Sequence, residues 1–246
     1  MFTYIGNRNE LMEHIPKEPV RTIVEVGVCK GENAAWMLSN FEPGSLVLID
    51  EWTPFAPAET PSYFSGGKEA QSSIGEYFGG PIDQQATFDA LHQTTTEKFK
   101  NDKRVNIQRA SSRDAATRFD DNTADLIYID ANHSYAAVLD DLFIWESKLK
   151  DNGYMILNDH TINATGTPEY GVVQALSTFL RTRTQYAPIA MTLSNYADMI
   201  IGKKSSDHSE LLKNIVSSGK AFELPDSIAS NFHIRKGGGM NWLSFC

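Results

Sequence analysis

Apolar residues along this chain recur in two periods that take turns. Short β-branched runs such as TIVEV, SLVLID, ADLIYID and YMILN alternate with stretches whose apolar positions fall every three or four residues. The pattern predicts a short helix over 8–15, a strand over 22–26, a helix over 32–39 and a strand over 45–50. Residues 51–81 break the rhythm, being rich in Pro, Gly, Ser and aromatic side chains with GG pairs at 66–67 and 79–80. The alternation then resumes with a helix over 83–100, a strand over 105–110, a short helix over 113–118 and a strand over 124–130. A helix over 135–149 and a strand over 154–158 follow, with DNG at 151–153 as the turn between them. Beyond lie a helix over 168–182, a strand pair over 188–194 and 197–203 linked through Asn195 and Tyr196, and a helix over 208–218. The tail, with HIRKGGGMNW, reads as a flexible surface segment.

Strands apolar on both faces, such as DLIYID and YMILND, belong in the middle of a sheet covered by helices on each side. The expectation is an α/β fold with a doubly wound, seven-stranded, mostly parallel sheet. Its last strand is antiparallel, because the link in the closing pair is too short for a parallel crossover. The chain is expected to form a single domain over 1–246: a core over about 20–204, a lid insertion over about 51–82, and a C-terminal helix and tail over 205–246. Ligands of such sheets sit at the strands' carboxyl ends, and every polar motif below falls at one.

Composition narrows the partners. A chain of 246 residues, 41% hydrophobic, can bury one substantial core. No apolar run is long enough to span a bilayer, and the N-terminus lacks the basic-then-apolar layout of a secretory signal, so a soluble cytoplasmic protein with no membrane partner is expected. Two cysteines, Cys29 and Cys246, support neither a disulfide framework nor a multi-cysteine metal knuckle. A net charge of −9, with 22 Lys and Arg scattered among 31 Asp and Glu, repels polyanions and argues against nucleic acid. A small-molecule substrate fits better. The basic tail and the lid are candidate contacts for a homo-oligomer.

The strand TIVEV leads into Gly27-Val-Cys-Lys-Gly31, a G-x-x-x-G turn and not the G-x-G-x-x-G of a pyrophosphate-binding loop. It lacks the middle glycine that lets backbone approach two phosphates. A cofactor without phosphates does not need it. One strand later LVLID ends in Asp50, where a carboxylate can accept bonds from both hydroxyls of a ribose. Glu25 lies inside an apolar strand, where a charge is costly without a partner. Each feature alone could be a tight turn or a surface acid; together they point to an adenosine lacking phosphates.

On these residues the chain resembles the class I methyltransferases that use S-adenosylmethionine, from about residue 22 to 203. VEVGVCKG is similar to the first cofactor motif of the small-molecule O-methyltransferase branch related to catechol O-methyltransferase. The resemblance implies a Rossmann-like methyltransferase fold. It also implies that Glu25 and the backbone at Gly27 and Gly31 hold the methionine part of the cofactor, and that Asp50 holds its ribose. RASSRDAA occupies the place after the third strand where that family contacts adenine, which implies Ala110, Ser111, Ser112 and Arg113 as adenine-pocket residues. Serines there could equally cap the next helix.

DLIYIDANHSY and YMILNDHT end neighbouring strands, and parallel strands lie about 4.8 Å apart. Their polar residues could therefore converge on one hard divalent cation, Mg²⁺ or Mn²⁺. By resemblance the ligands are Asp130, Asp159 and His160; the last departs from the amide of catechol methyltransferases. The Asp-x-x-His-Ser-Tyr signature is closer to a bacterial methyltransferase group and to sugar O-methyltransferases that use a divalent ion. Otherwise Asp130 borders the cofactor pocket, while Asn158 and Asp159 cap a turn. His133 is the candidate general base beside Asp130, with His160 as the alternative if no metal binds. The lid carries Trp52, Phe55, Tyr63, Phe64, Tyr77 and Phe78, fit to stack on a sugar or an aryl ring. The expected activity is methyl transfer to a hydroxyl of a small molecule. Competing readings are an NAD-dependent oxidoreductase on a similar sheet and a non-catalytic cofactor- or metal-binding module.

Overall fold

The computed structural model describes all residues except 19, 55–74, 164–170, 195, 226–232, 238–239 and 245–246. The first described elements are β1 (Phe2–Tyr4), α1 (Arg8–Met12), β2 (Thr22–Val26), α2 (Glu32–Phe41) and β3 (Ser45–Asp50). Next come α3 (Gln85–Phe99), β4 (Val105–Arg109), α4 (Ser112–Ala116), β5 (Ala124–Ile129), α5 (Tyr135–Trp145) and β6 (Leu149–Leu157). The chain continues through β7 (Thr161–Asn163), α6 (Val172–Thr182), β8 (Tyr186–Thr192), β9 (Met199–Lys203), α7 (Ser209–Ser217) and β10 (Ala221–Glu223). It closes with β11 (His233–Gly237) and β12 (Met240–Ser244).

All seven predicted strands share one sheet, but the sheet has nine strands, in the order β10-β1-β8-β9-β6-β5-β2-β3-β4. The five strands from β6 to β4 in that order are parallel, and β9 runs antiparallel between β6 and β8. The two extra strands extend the β8 edge: β1 pairs parallel with β8, and β10 antiparallel with β1. Three-residue strands such as these are too short to show a period of two in the sequence.

Two further expectations are corrected. DNG at 151–153 is not a turn between helix and strand but lies within β6, where the pairing with β5 shifts register between Ala124 and Leu126. Nor is the tail an unstructured segment: β11 pairs parallel with β7 and antiparallel with β12 in a second, three-stranded sheet. Of the lid, residues 51–54 and 75–82 are described; Phe55, Tyr63 and Phe64 lie outside the described residues.

Alternation along the strands sorts the core into two faces. Val24 and Val26 of β2 join Ile127, Trp145 and Phe179 in one cluster, under α4, α5 and α6. Ile23 joins Met37, Leu48, Phe88, Leu126 and Leu211 in the other, under α1, α2, α3 and α7. Period two puts Glu25 on the Ile23 side, facing α2. Among the described residues no helix is long and apolar enough to cross a membrane.

Candidate active site

One cavity of about 1420 Å³ opens at the carboxyl ends of the parallel strands. Small-molecule sites run to roughly 300–1,000 Å³, so there is room for a nucleoside and a second small molecule. Of the predicted site residues, Glu25, Gly27, Asp50, Ala110, Ser111, Ser112, Arg113, Asp130, His133 and Asp159 line it. Gly31 and His160 do not.

The glycine turn is pinned from both sides. Gly27 N–H donates to Ile49 O at 2.8 Å, and Asp130 N–H to Val26 O at 2.8 Å. Gly27 has φ +87°, and a Cβ there would lie 2.1 Å from the Asp130 carbonyl oxygen. Gly31 serves packing instead: it starts α2 in the left-handed region with its Cα against the Phe99 ring. Where a dinucleotide loop has its middle glycine stands Cys29, at φ +51°. The Asp50 carboxylate braces that conformation. Its Oδ2 accepts from Val28 N (2.8 Å) and Cys29 N (2.9 Å), and its Oδ1 from Trp52 N (2.7 Å). Trp52 is no lid aromatic; it is buried, with its indole N–H on Cys29 O at 2.9 Å.

Glu25 is 1% exposed, and its Oε1 accepts from Asn33 Nδ2 at 2.7 Å. Its Oε2 and the Asn33 Oδ1 have no hydrogen-bond partner among the described residues, though both side chains are buried in the cavity lining. Burial pushes the Glu25 carboxyl up to about 8, against the pull of the Asn33 bond and with a further push from Asp130. These two oxygens are open to a donor, either the Glu25 proton itself or a cationic ligand group that replaces it.

At the far end, Ser111 caps α4 by accepting from Asp114 N at 3.1 Å, and Arg113 pairs with Asp140, which also lines the cavity. Ser112 donates to the buried Asp141 and accepts from Trp145 Nε1 at 2.9 Å. Burial raises the Asp141 carboxyl to about 6 despite the Ser112 bond.

The opposite wall holds His133 between two carboxylates: Nε2 lies 3.3 Å from Asp130 Oδ1, and Nδ1 lies 3.9 Å from Asp159 Oδ2. Burial works to lower the His133 pKa, but the bond to Asp130 and the Asp159 charge outweigh it, and the net shift is upward. Gly171 N–H donates to His133 O at 2.7 Å and anchors this loop from α6. The predicted metal trio does not converge. His160 is buried outside the cavity, its backbone N–H on Ala197 O at 2.8 Å. Among the described residues no group of three or more His, Cys, Asp or Glu could hold a metal ion.

Beside His133 lies a network that sequence reasoning missed. Arg8 Nη1 donates to Tyr128 Oη at 2.8 Å, and that hydroxyl donates to Asp198 Oδ1 at 2.6 Å. Asn158 Nδ2 reaches both oxygens at 3.2 Å. Burial lifts the Asp198 carboxyl to about 7 against the pull of Arg8. The Arg8 guanidinium is 3.9 Å from Asp130 Oδ2 and, among the described residues, makes no hydrogen bond besides that to Tyr128, leaving further donors for the cavity.

A sequence profile for a family described as a methyltransferase domain matches residues 24–160, more than half of the chain. The chain belongs to this methyltransferase family. The matched segment carries the glycine turn, Asp50, the serine loop, Asp130, His133 and Asp159; Arg8 and Asp198 of the methyltransferase lie outside it. No curated protein matches the chain. Among solved structures it is similar to spermidine synthase from Thermotoga maritima (12% identity, 90% of this chain and 70% of that one, TM-score 0.53). It is also similar to an O-methyltransferase family protein from Burkholderia thailandensis (13%, 80% and 55%, TM-score 0.51) and to a protein from Corynebacterium glutamicum (13%, 81% and 81%, TM-score 0.51). At such identities the likeness shows the Rossmann-like methyltransferase fold alone.

Proposed function

We propose that the protein transfers the methyl group of S-adenosylmethionine to a hydroxyl oxygen of a small, polar, hydroxylated acceptor such as a sugar. The observation that carries this reading is the pair of unpartnered acceptors, Glu25 Oε2 and Asn33 Oδ1, on the cavity wall. The α-ammonium of the cofactor's methionine is a donor of the right charge for both, and the serine loop with Asp141 suits the adenine. Nine acidic residues line the cavity against three Lys or Arg, and the acids outnumber the bases even with Glu25, Asp198 and Asp141 protonated, a balance that favours a sulfonium cation. Bound there, S-adenosylmethionine supplies an electrophilic methyl carbon.

The chain's own residues do the rest. His133, fixed by Asp130 and Asp159, takes the proton of the acceptor hydroxyl as a general base. Arg8, Asn9, Asn132, Ser194, Tyr196 and Asp198 present mixed donors and acceptors on the acceptor side, as a polyhydroxylated ligand requires. Tyr77, whose ring carries Lys30 Nζ 4.2 Å above its centroid, offers a stacking face. No step in this scheme uses a metal.

Calorimetry with S-adenosylhomocysteine and with NAD tests the cofactor, and labelled donor incubated with sugars, nucleotide sugars and catechols tests the acceptor. Heat with the homocysteine product and none with NAD is expected, as is label transfer to a sugar oxygen that His133→Ala slows by about 10²- to 10⁴-fold. No binding of the product, or undiminished transfer in that variant, overturns the reading.

A further inference from the structure

We infer that Tyr128 is a positioning residue for the base: its hydroxyl joins Arg8, Asp198 and Asn158 into a frame that holds both carboxylates flanking His133. The inference rests on the proposed role of His133. Tyr128 is fully buried in β5 and does not line the cavity, so its hydroxyl can act on the chemistry only through its neighbours. It donates to Asp198 and accepts from Arg8 and Asn158, which uses the whole capacity of a hydroxyl.

One arm of the frame ends at Asp159, whose φ of +58° is a conformation that non-glycine residues keep only where their surroundings over-determine it. Both flanks do so. Asn158 is clamped by its side chain to Tyr128 and Asp198, and by its N–H on Ile129 O at 3.0 Å. On the other side His160 N–H donates to Ala197 O at 2.8 Å, and Thr161 N–H folds back onto Asp159 O at 2.7 Å. The Asp159 carboxylate is thereby set 3.9 Å from His133 Nδ1. The other arm ends at Asp130. Arg8 lies over the Tyr128 ring, 5.5 Å from its centroid, and ring and hydroxyl together hold its guanidinium 3.9 Å from Asp130 Oδ2, while Oδ1 of the same carboxylate faces His133 Nε2. Removing one hydroxyl loosens both carboxylates at once.

Tyr128→Phe removes that oxygen and keeps the ring. With labelled S-adenosylmethionine and sugars, nucleotide sugars and catechols as acceptors, it should lower kcat roughly ten- to a hundredfold, the effect of a misplaced reacting group. The acceptor KM and the calorimetric affinity for S-adenosylhomocysteine should stay at wild-type values. In a His133→Ala background the same substitution should cost no more than about twofold, because the group that it positions is gone. If Tyr128→Phe does not fold, Asn158→Ala, which cuts the Asp159 arm alone, goes through the same cycle with the same expected outcomes. If His133→Ala is slow but Tyr128→Phe keeps kcat within about twofold of wild type, the frame does not serve the base and the inference is wrong, while the proposed base stands. An equal loss with and without His133 overturns it as well, since the frame would then serve the fold or a ligand. A rate undiminished in His133→Ala, or no label transfer by the wild-type protein to any of these acceptors, overturns the proposed function and the inference together.

Discussion

Glu25 is a carboxyl in an apolar strand with one hydrogen bond, from Asn33, to offset its burial. Without ligand, its proton is the cheapest remedy; with ligand, the ammonium takes over. Glu25→Gln should therefore weaken S-adenosylhomocysteine by about 1.5–3 kcal/mol, the worth of a hydrogen bond to a charged group, while the ligand-free protein at pH 8 melts no lower than wild type. Calorimetry and a melting curve read both. At His133, replacement by Ala should cost about 10²- to 10⁴-fold in kcat with product affinity kept. Because its pKa stands above the ordinary value, the rising limb of the rate profile should lie above pH 6.5. A rate independent of pH from 6 to 9 would remove His133 as the base. These residues were legible in the sequence because Glu25 interrupts an apolar strand and His133 follows the end of one, and only together with the glycine turn and Asp50 do they point to a ligand. Asn33, Arg8, Asp141 and Asp198 were not. They come from helices and a turn, where polar residues are ordinary until the fold shows which of them face inward.

At the level of elements, α6 steers the base although it contributes no side chain to the cavity wall. Gly171 sits so close to α5 that a Cβ would meet Tyr135 N at 2.1 Å, and its N–H holds His133 O. Gly171→Ala must push α6 from α5 and drag the His133 loop with it. Turnover should fall at least tenfold and stability by more than about 1 kcal/mol, measured by initial rate and denaturant midpoint; wild-type values for both would show that the loop is held elsewhere. The central strands were readable because burial on two faces leaves an unbroken apolar run. The edge was not. β1 and β10 have three residues each, and β11, which pairs with the adjacent β12, joins β7 through a long-range contact that no local pattern announces. The closing strands likewise stop short of the predicted bounds at Thr192 and start late at Met199. The turn so lengthened brings Ser194, Tyr196 and Asp198 to the cavity.

Across the whole molecule, the cavity stores acids that fold more readily with their protons on. Burial raises Glu25 to about 8, Asp198 to about 7 and Asp141 to about 6. Each binds its proton more tightly folded than unfolded, so its contribution is complete below the unfolded pKa, near 4, and is lost as pH climbs through the folded value. His133, also raised, adds the same sign. The carboxyls shifted downward, Asp102 to about 2 with Glu10, Asp89, Asp121 and Asp207, lie at the surface and titrate in acid, so between pH 5 and 8.5 the buried group is opposed by His14, whose pKa burial lowers and which adds stability as pH rises. The ligand-free protein should therefore melt lower at pH 8.5 than at pH 5.5, by at least about 3 °C for a net loss near 1 kcal/mol in a chain of this size. Saturating S-adenosylhomocysteine should flatten the slope by the share that belongs to Glu25, since its ammonium replaces the proton, and Glu25→Gln should flatten it without ligand. Asp198→Asn, which keeps the Tyr128 and Arg8 surroundings but cannot ionise, should remove a second share. A melting temperature that stays level or rises across this window would mean that the cavity acids are already ionised and matched in the free protein, and the case for a cationic ligand at Glu25 would fall with it.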